Sequence, residues 1–440
     1  RELGHGRVQV APLRSFRFPS DAIGTKKNEM IAPPSAEGPL GLEPPSSRAQ
    51  PSSLYPGRFL FAATARASFG PRVDRLGRLL FAGDPIADAA IDALGSYDRR
   101  TAHALIDAGA RGGARAVSEA PEAVRAYFDA LYTLPLWADR ARADRGGRLL
   151  FRTSMLTGLV LGAKSLLLGY AAPGGNKPLV LAGGLLERAP QRLNETARYV
   201  RGVALPGGIF PGGEGFVITA KVRLMHAQLR RSLLTDARWK IQEWGVPANQ
   251  HDMAATILLF SSELLSGLQA LGVAIDAEER DDYMHLWRVA GHLMGVDPEI
   301  LPANAGDAAE LTAMIAATQG EPDADSRALA QALLESPSRA AVTEDERKNA
   351  LRQIILFRVA ARELLGDQMA DALGVQPTPF RRAFPLFKRL IASGERVQKM
   401  VGDGQAMKAG QTYWDNIRDL GLARYGFGFE LPQLESLRSL

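Results

Sequence analysis

Six histidines are spread over 440 residues, and one of them, His226, stands in a segment whose neighbours suit a ligand-bearing helix. On a helix, positions three, four and seven apart share a face. His226 therefore lies with Thr219, Val222, Arg223, Leu229, Arg230 and Leu233 on a wall that is part apolar and part basic. An imidazole on such a wall can ligate haem iron, while arginines beside it, here Arg223 and Arg230, can reach propionates. Arg192 and Thr196 precede His226 by 34 and 30 residues and are one turn apart, so they project together. A guanidinium and a hydroxyl above a dry metal face can hydrogen-bond bound dioxygen or stabilise negative charge growing on it. Spacing alone favours a plainer account, a satisfied helix histidine and a surface arginine, because a single histidine carries little information.

The elements that must position these groups read as helices almost throughout from Phe59. Segments at 84–95, 98–110, 121–133 and 145–170 repeat apolar residues at three- and four-residue spacing. Leu168 to Pro190 holds two Gly-Gly pairs and three prolines and reads as a loop around Leu179-Val180-Leu181. A helix follows Pro190 to about Gly202, a Gly- and Pro-rich loop runs from Leu205 to Gly215, and a long helix then carries His226 to near Thr235. Apolar helices are predicted at Met253–Ala270 and Asp276–Met294, the second opened by Asp276 with Glu279 completing a capping box. Asp307–Thr318, Ala324–Leu334 and Glu344–Leu373 continue the pattern, with Gly374 as a stop, and the last 60 or so residues are mixed. Alternating β-branched runs bounded by Asn-Gly or Asp-Gly are essentially missing. The fold class is therefore all-α, with residues 57–440 as one helical domain. Residues 1–56 carry nine of the 27 prolines and predict a disordered arm. The chain begins at Arg1, and Met30 is a candidate natural start.

Composition narrows the function. With no cysteine there are no disulfides, no thiolate catalysis and no Cys-ligated iron–sulfur cluster or haem. The net charge is +5, but residues 1–60 supply +3 of it and arginine is interleaved with Asp and Glu elsewhere, so no nucleic-acid footprint is expected. The longest apolar run, Met155–Tyr170, contains Lys164 and three glycines and falls short of the roughly 20 residues of a membrane span. No integral membrane segment is expected, and the lack of a visible signal peptide favours a cytoplasmic location. Zincin, P-loop and dinucleotide motifs are absent. A di-iron site needs two Glu-x-x-His pairs and two more carboxylates, and only Asp282-x-x-His285 approximates one. His285 and His292, with Trp287 and Arg288, read as buried polar contacts, and Asp252 beside His251 as a helix cap. His5 and His103 have no obvious partners. A helical carrier of an apolar ligand, its pocket lined by the helices at 253–270 and 283–294, is the non-enzymatic alternative.

Several segments stand in a fixed order. They are Leu179–Leu181, Gln191–Thr196, Arg223–Ala227, Gly245–Asp252, Phe260-Ser261 and Tyr283–His292 leading to Leu301-Pro302. Together they cover about 150–302, and this ordered set resembles the latex-clearing protein and mycophenolic-acid oxygenase B family. The resemblance implies an all-helical, globin-like core, a b-type haem, and the use of O2 to cleave a carbon–carbon double bond of an apolar, isoprenoid-like substrate. It also implies that His226 is the proximal iron ligand and that Arg192 and Thr196 are polar groups on the distal side. Two departures stand out. Where the rubber-cleaving proteins have a lysine before the threonine, this chain has Glu195. Their upstream acidic residue falls near Asn176, with Glu187 the only carboxylate close by.

Overall fold

The computed structural model describes residues 54–181 and 188–426, and every regular element among them is helical. The all-α expectation holds for these residues. The arm expected at 1–56 lies almost entirely outside them, as does Glu187.

Short polar side chains set many of the helix starts. Asp84, Asp98, Asp139, Asn249, Asp276, Asn304 and Asp323 each accept a hydrogen bond from the backbone N–H three residues on. Each such cap is worth about 1 kcal/mol, because it satisfies a donor the helix itself cannot. Two cap expectations need correction. Asp276 receives the Glu279 N–H, but the Glu279 carboxylate turns away to Arg152 Nε and Nη2 at 2.9 and 2.8 Å, so the second half of the capping box does not form. The cap of the Gln250–Phe260 helix is Asn249, and Asp252 lies inside the first turn with its carboxylate on Arg58.

Several segments expected to be continuous are broken. The 250–271 stretch turns at Ser261, whose φ/ψ of −105°/−92° separates Gln250–Phe260 from Ser262–Leu271. By composition it is apolar enough to cross a membrane, with a mean hydropathy of 1.4, yet more than half of it is buried in the helical core. The segment predicted at 145–170 starts at Arg140, kinks at Ser154 (φ 30°), passes through a wider π turn at Leu161–Leu166 and ends at Tyr170. Glu344–Leu373 divides at Gly366, whose φ of 80° suits glycine. The mixed C-terminal region holds two long helices, Phe384–Val401 and Gly404–Tyr425.

The Arg140–Val160 helix is the hub, packed by Ala277–Leu293, Gly404–Tyr425 and Ala189–Ala204. Gly146 and Gly147 make that possible. A Cβ at Gly146 would stand 2.3 Å from the Asp282 carbonyl oxygen, and one at Gly147 would stand 2.1 Å from that of Ala204. The core holds Trp287, Tyr283, Tyr127, Phe151 and Phe216, all fully buried. His285 and His292 meet the Trp137 ring edge-on at 6.0 and 5.8 Å, and His285 Nε2 sits against the Asp139 backbone. His285 thus makes the buried polar contact its spacing suggested, whereas His292 is half-buried and its contact with Trp137 is aromatic rather than polar.

Candidate functional site

The three residues singled out first lie on two helices joined as a hairpin, Ala189–Ala204 bearing Arg192 and Thr196, and Glu214–Leu234 bearing His226. The connection is held by Phe216 N–H on the Gly208 carbonyl at 2.8 Å and Gly213 N–H on that of Phe210 at 2.9 Å. At the crossing the backbones nearly touch. A Cβ at Gly215 would lie 2.6 Å from the Gly202 carbonyl carbon.

That crossing fixes the register. At a rise of 1.5 Å per residue, Arg192 stands about 15 Å from Gly202 and His226 about 16 Å from Gly215. The two residues thus lie at similar distances along their own helices from the crossing. Helical periodicity places Tyr199 on the stripe of Arg192 and Thr196, and Thr219 and Gly215 on the stripe of His226. Burial pushes the Tyr199 hydroxyl up to about 12, with nearby Thr219 opposing the shift, and that hydroxyl has no hydrogen-bond partner among the described residues.

The His226 side chain is half-buried. Burial, and the nearby Arg230 charge, push its pKa down to about 4, against a small opposing pull from Asp84, so the ring is neutral at physiological pH. Its Nδ1 is buried and, among the described residues, has no hydrogen-bond partner. A buried polar atom left in that state costs stability, which an added ligand or partner would relieve.

Arg223 and Arg230 are already engaged. Arg223 forms a two-pronged pair with Asp84, Nε to Oδ2 at 2.6 Å and Nη2 to Oδ1 at 3.0 Å, with side chains 9% and 4% exposed. It also lies over the Tyr127 ring at 5.6 Å. Arg230 donates from Nε to Asp88 at 2.8 Å and from Nη1 to the Ala248 carbonyl at 2.8 Å. Both pairs tie the His226 helix to the N-terminal end of the Pro85–Leu94 helix. Sequence reading missed Asp84 and Asp88, because nothing in local spacing links residues some 140 positions apart.

The Arg192–Thr196 turn is more finely arranged than its spacing shows. The Thr196 hydroxyl donates to the Arg192 backbone carbonyl at 2.8 Å, which leaves its oxygen lone pairs as acceptors toward the site. Arg192 is close enough to Tyr170 for its charge to oppose the upward push that burial exerts on that phenol. Glu195 sits on the adjoining face, taking the Gln191 side-chain N–H at 2.9 Å and facing the C-terminal helix with Asn194 and Arg198. Burial raises its pKa, offset in part by Gln191 and Arg192. Asn176 is buried, donates to the Tyr170 carbonyl and Ser326 hydroxyl, and keeps its Oδ1 without a partner among the described residues. An amide there cannot act as a proton acceptor in the way a carboxylate would.

Asp282, from the one di-iron-like pair, accepts from Arg142 Nε at 2.9 Å and Arg145 Nε at 2.6 Å. Among the described residues no group of three or more His, Asp or Glu side chains is gathered to hold a metal ion.

The family model described as "ER-bound oxygenase mpaB/B'/Rubber oxygenase, catalytic domain" matches residues 149–393, a longer stretch than the 150–302 of the ordered segments. With more than half of its length matched, the chain belongs to this oxygenase family. The Rubber oxygenase of Streptomyces sp. (strain K30) is 25% identical over 281 residues, 62% of this chain and 64% of that protein, so the match spans less than two thirds of the relative. The solved latex clearing protein LCP in its closed state shares the fold, with a TM-score of 0.63 at 21% identity over 81% of this chain and 95% of that one.

Proposed function

We propose that this chain is a haem b-dependent oxygenase that uses O2 to cleave a carbon–carbon double bond of an apolar, isoprenoid-type substrate. The observation that carries the reading is His226: a half-buried, neutral imidazole whose buried Nδ1 has no hydrogen-bond partner among the described residues, in a chain of this oxygenase family. The residues present fit such a group. His226 would hold the haem iron, and when bound the haem would supply an iron able to take up dioxygen.

The chain's own residues do the rest. The Arg223–Asp84 and Arg230–Asp88 pairs hold the His226 helix in place, so the imidazole is fixed before any cofactor arrives. Their guanidinium groups serve the scaffold first, and any reach toward propionates is secondary to it. Arg192 would bring a permanent positive charge to the site, where it would favour negative charge developing on oxygen. Thr196 presents an acceptor oxygen, because its proton is held by the helix backbone, and so orients donors on that side. Trp287 stacks on Phe260 at 5.0 Å, with Tyr199 against both, an aromatic cluster that would help to keep water out. Overall, one double bond and one O2 give two carbonyl groups, so no external reductant is required. Family membership favours this enzymatic reading over the apolar-ligand carrier.

The test is oxygen uptake with detection of carbonyl-ended products, using haem-loaded protein with polyisoprene and with short prenyl compounds. The reading predicts uptake that needs substrate and falls sharply in Arg192→Ala and Thr196→Ala. Full turnover in both variants would remove these two residues from the mechanism.

A further inference from the structure

The Phe384–Val401 helix buries one side and leaves the other unusually apolar. Phe384 and Glu395 are buried, and Phe387 and Ile391 pack against the core, which together define the inward face. On the outward face Leu386, Leu390, Val397 and Val401 follow at helical spacing, with Met400 alongside and Phe380 in the turn before. These six residues are 58–85% exposed. Isolated exposed apolar residues are ordinary, but a contiguous stripe of them marks an interaction surface.

The charge around the stripe says what it fits. Between residues 379 and 401 there are six Lys/Arg and one acid, a net of +5, which equals the net charge of the whole chain. The one acid, Glu395, is buried against Arg152 at 2.7 Å, and Arg381 is held by Glu363 and Asp367. Arg382, Lys388, Arg389 and Arg396 are exposed and have no carboxylate partner among the described residues. On the helical wheel Arg389 and Arg396 border the apolar stripe.

We propose that this helix is a docking surface for an anionic lipid layer, lying in the plane of the interface with its leucine and valine stripe among the acyl chains. An apolar stripe edged by cations is the pattern of an interfacial helix, which gains both from apolar burial and from attraction to anionic headgroups. A second copy of the chain would bring a like-charged face against this one, which costs association energy. A nucleic acid would leave the stripe in water, and a neutral apolar polymer alone gives the arginines nothing to bind.

The experiment is sedimentation of the full chain with vesicles of phosphatidylcholine alone and of phosphatidylcholine mixed with phosphatidylglycerol, at low and high salt. Binding is expected only to the anionic vesicles and should weaken with salt. Leu390→Glu should reduce it by about tenfold or more. Arg389→Gln combined with Arg396→Gln should reduce it by roughly thirtyfold, at about 1 kcal/mol per charge. Circular dichroism and gel filtration confirm that the variants fold, which these exposed positions allow. Failure of the parent protein to bind anionic vesicles at low salt would overturn the proposal. So would unchanged binding by Leu390→Glu, or a concentration-dependent dimer that this substitution dissolves.

Discussion

Asp84→Ala tests the claim that the His226 helix is anchored by a buried ion pair. In the parent, Asp84 holds Arg223 through two short bonds with both side chains nearly sealed from water, and it also caps the Pro85–Leu94 helix. Removing the carboxylate strands a guanidinium in the interior, which costs about 3–5 kcal/mol, and losing the cap adds about 1 kcal/mol. The Tyr127 face at 5.6 Å and the Leu293 carbonyl at 3.3 Å remain to Arg223 and return about 1 kcal/mol. The net expectation is a loss of about 3–5 kcal/mol in urea unfolding of the haem-free protein. Adding Arg223→Met removes the stranded charge, so the double variant should recover to within about 1–2 kcal/mol of the parent. A loss below about 1 kcal/mol in Asp84→Ala, the range of an exposed pair, would refute the anchoring. A double variant as unstable as the sum of the two singles would do the same. If Arg223 were instead held in reserve for a cofactor carboxylate, Asp84→Ala would leave the haem-free protein nearly untouched.

Three further outcomes follow from the same geometry. Gly215→Ala should cost at least about 1–3 kcal/mol, because its Cβ would press on Gly202 at 2.6 Å and force the hairpin apart; thermal unfolding that matches the parent would contradict the close crossing. Burial pushes the Asp252 carboxyl up, but the Arg58 charge and the His251 and Arg58 hydrogen bonds outweigh it and carry it well below the usual carboxylate range. Its contribution is therefore present above the unfolded value of about 3.9 and is lost as pH falls through the lower folded value. The stability gap between parent and Asp252→Asn should close in acid, and a gap that stays constant with pH would rule out this linkage. Glu195 is shifted the other way by burial, so its ionised form lowers stability as pH rises. Glu195→Gln should gain on the parent above the ordinary glutamate range of about 4.3 and match it below, as read from urea midpoints across pH.

How much of this was legible beforehand depends on whether the physics was local. The helix start at Asp276, the Gly-rich turn between Gly202 and Gly215, and the shared stripe of Arg192 and Thr196 are set within a few residues, and the structure keeps them. The breaks at Ser261 and Ser154 were not visible, because an apolar run carries the same periodicity whether its helix is straight or kinked. Glu279 leaves its box for Arg152, and Arg223 and Arg230 are claimed by Asp84 and Asp88, because tertiary partners outbid local ones. The outward apolar stripe of the Phe384–Val401 helix was hidden for a related reason: sequence shows two apolar stripes but not which one meets the core.

The central claim is that His226 holds a haem, and absorption spectroscopy of the haem-loaded chain beside His226→Ala tests it most directly. The account predicts one haem per chain, with a Soret band that is lost or strongly shifted in the variant while circular dichroism shows the helical fold retained. A parent protein that takes up no haem, or a variant with the parent's spectrum, would contradict it.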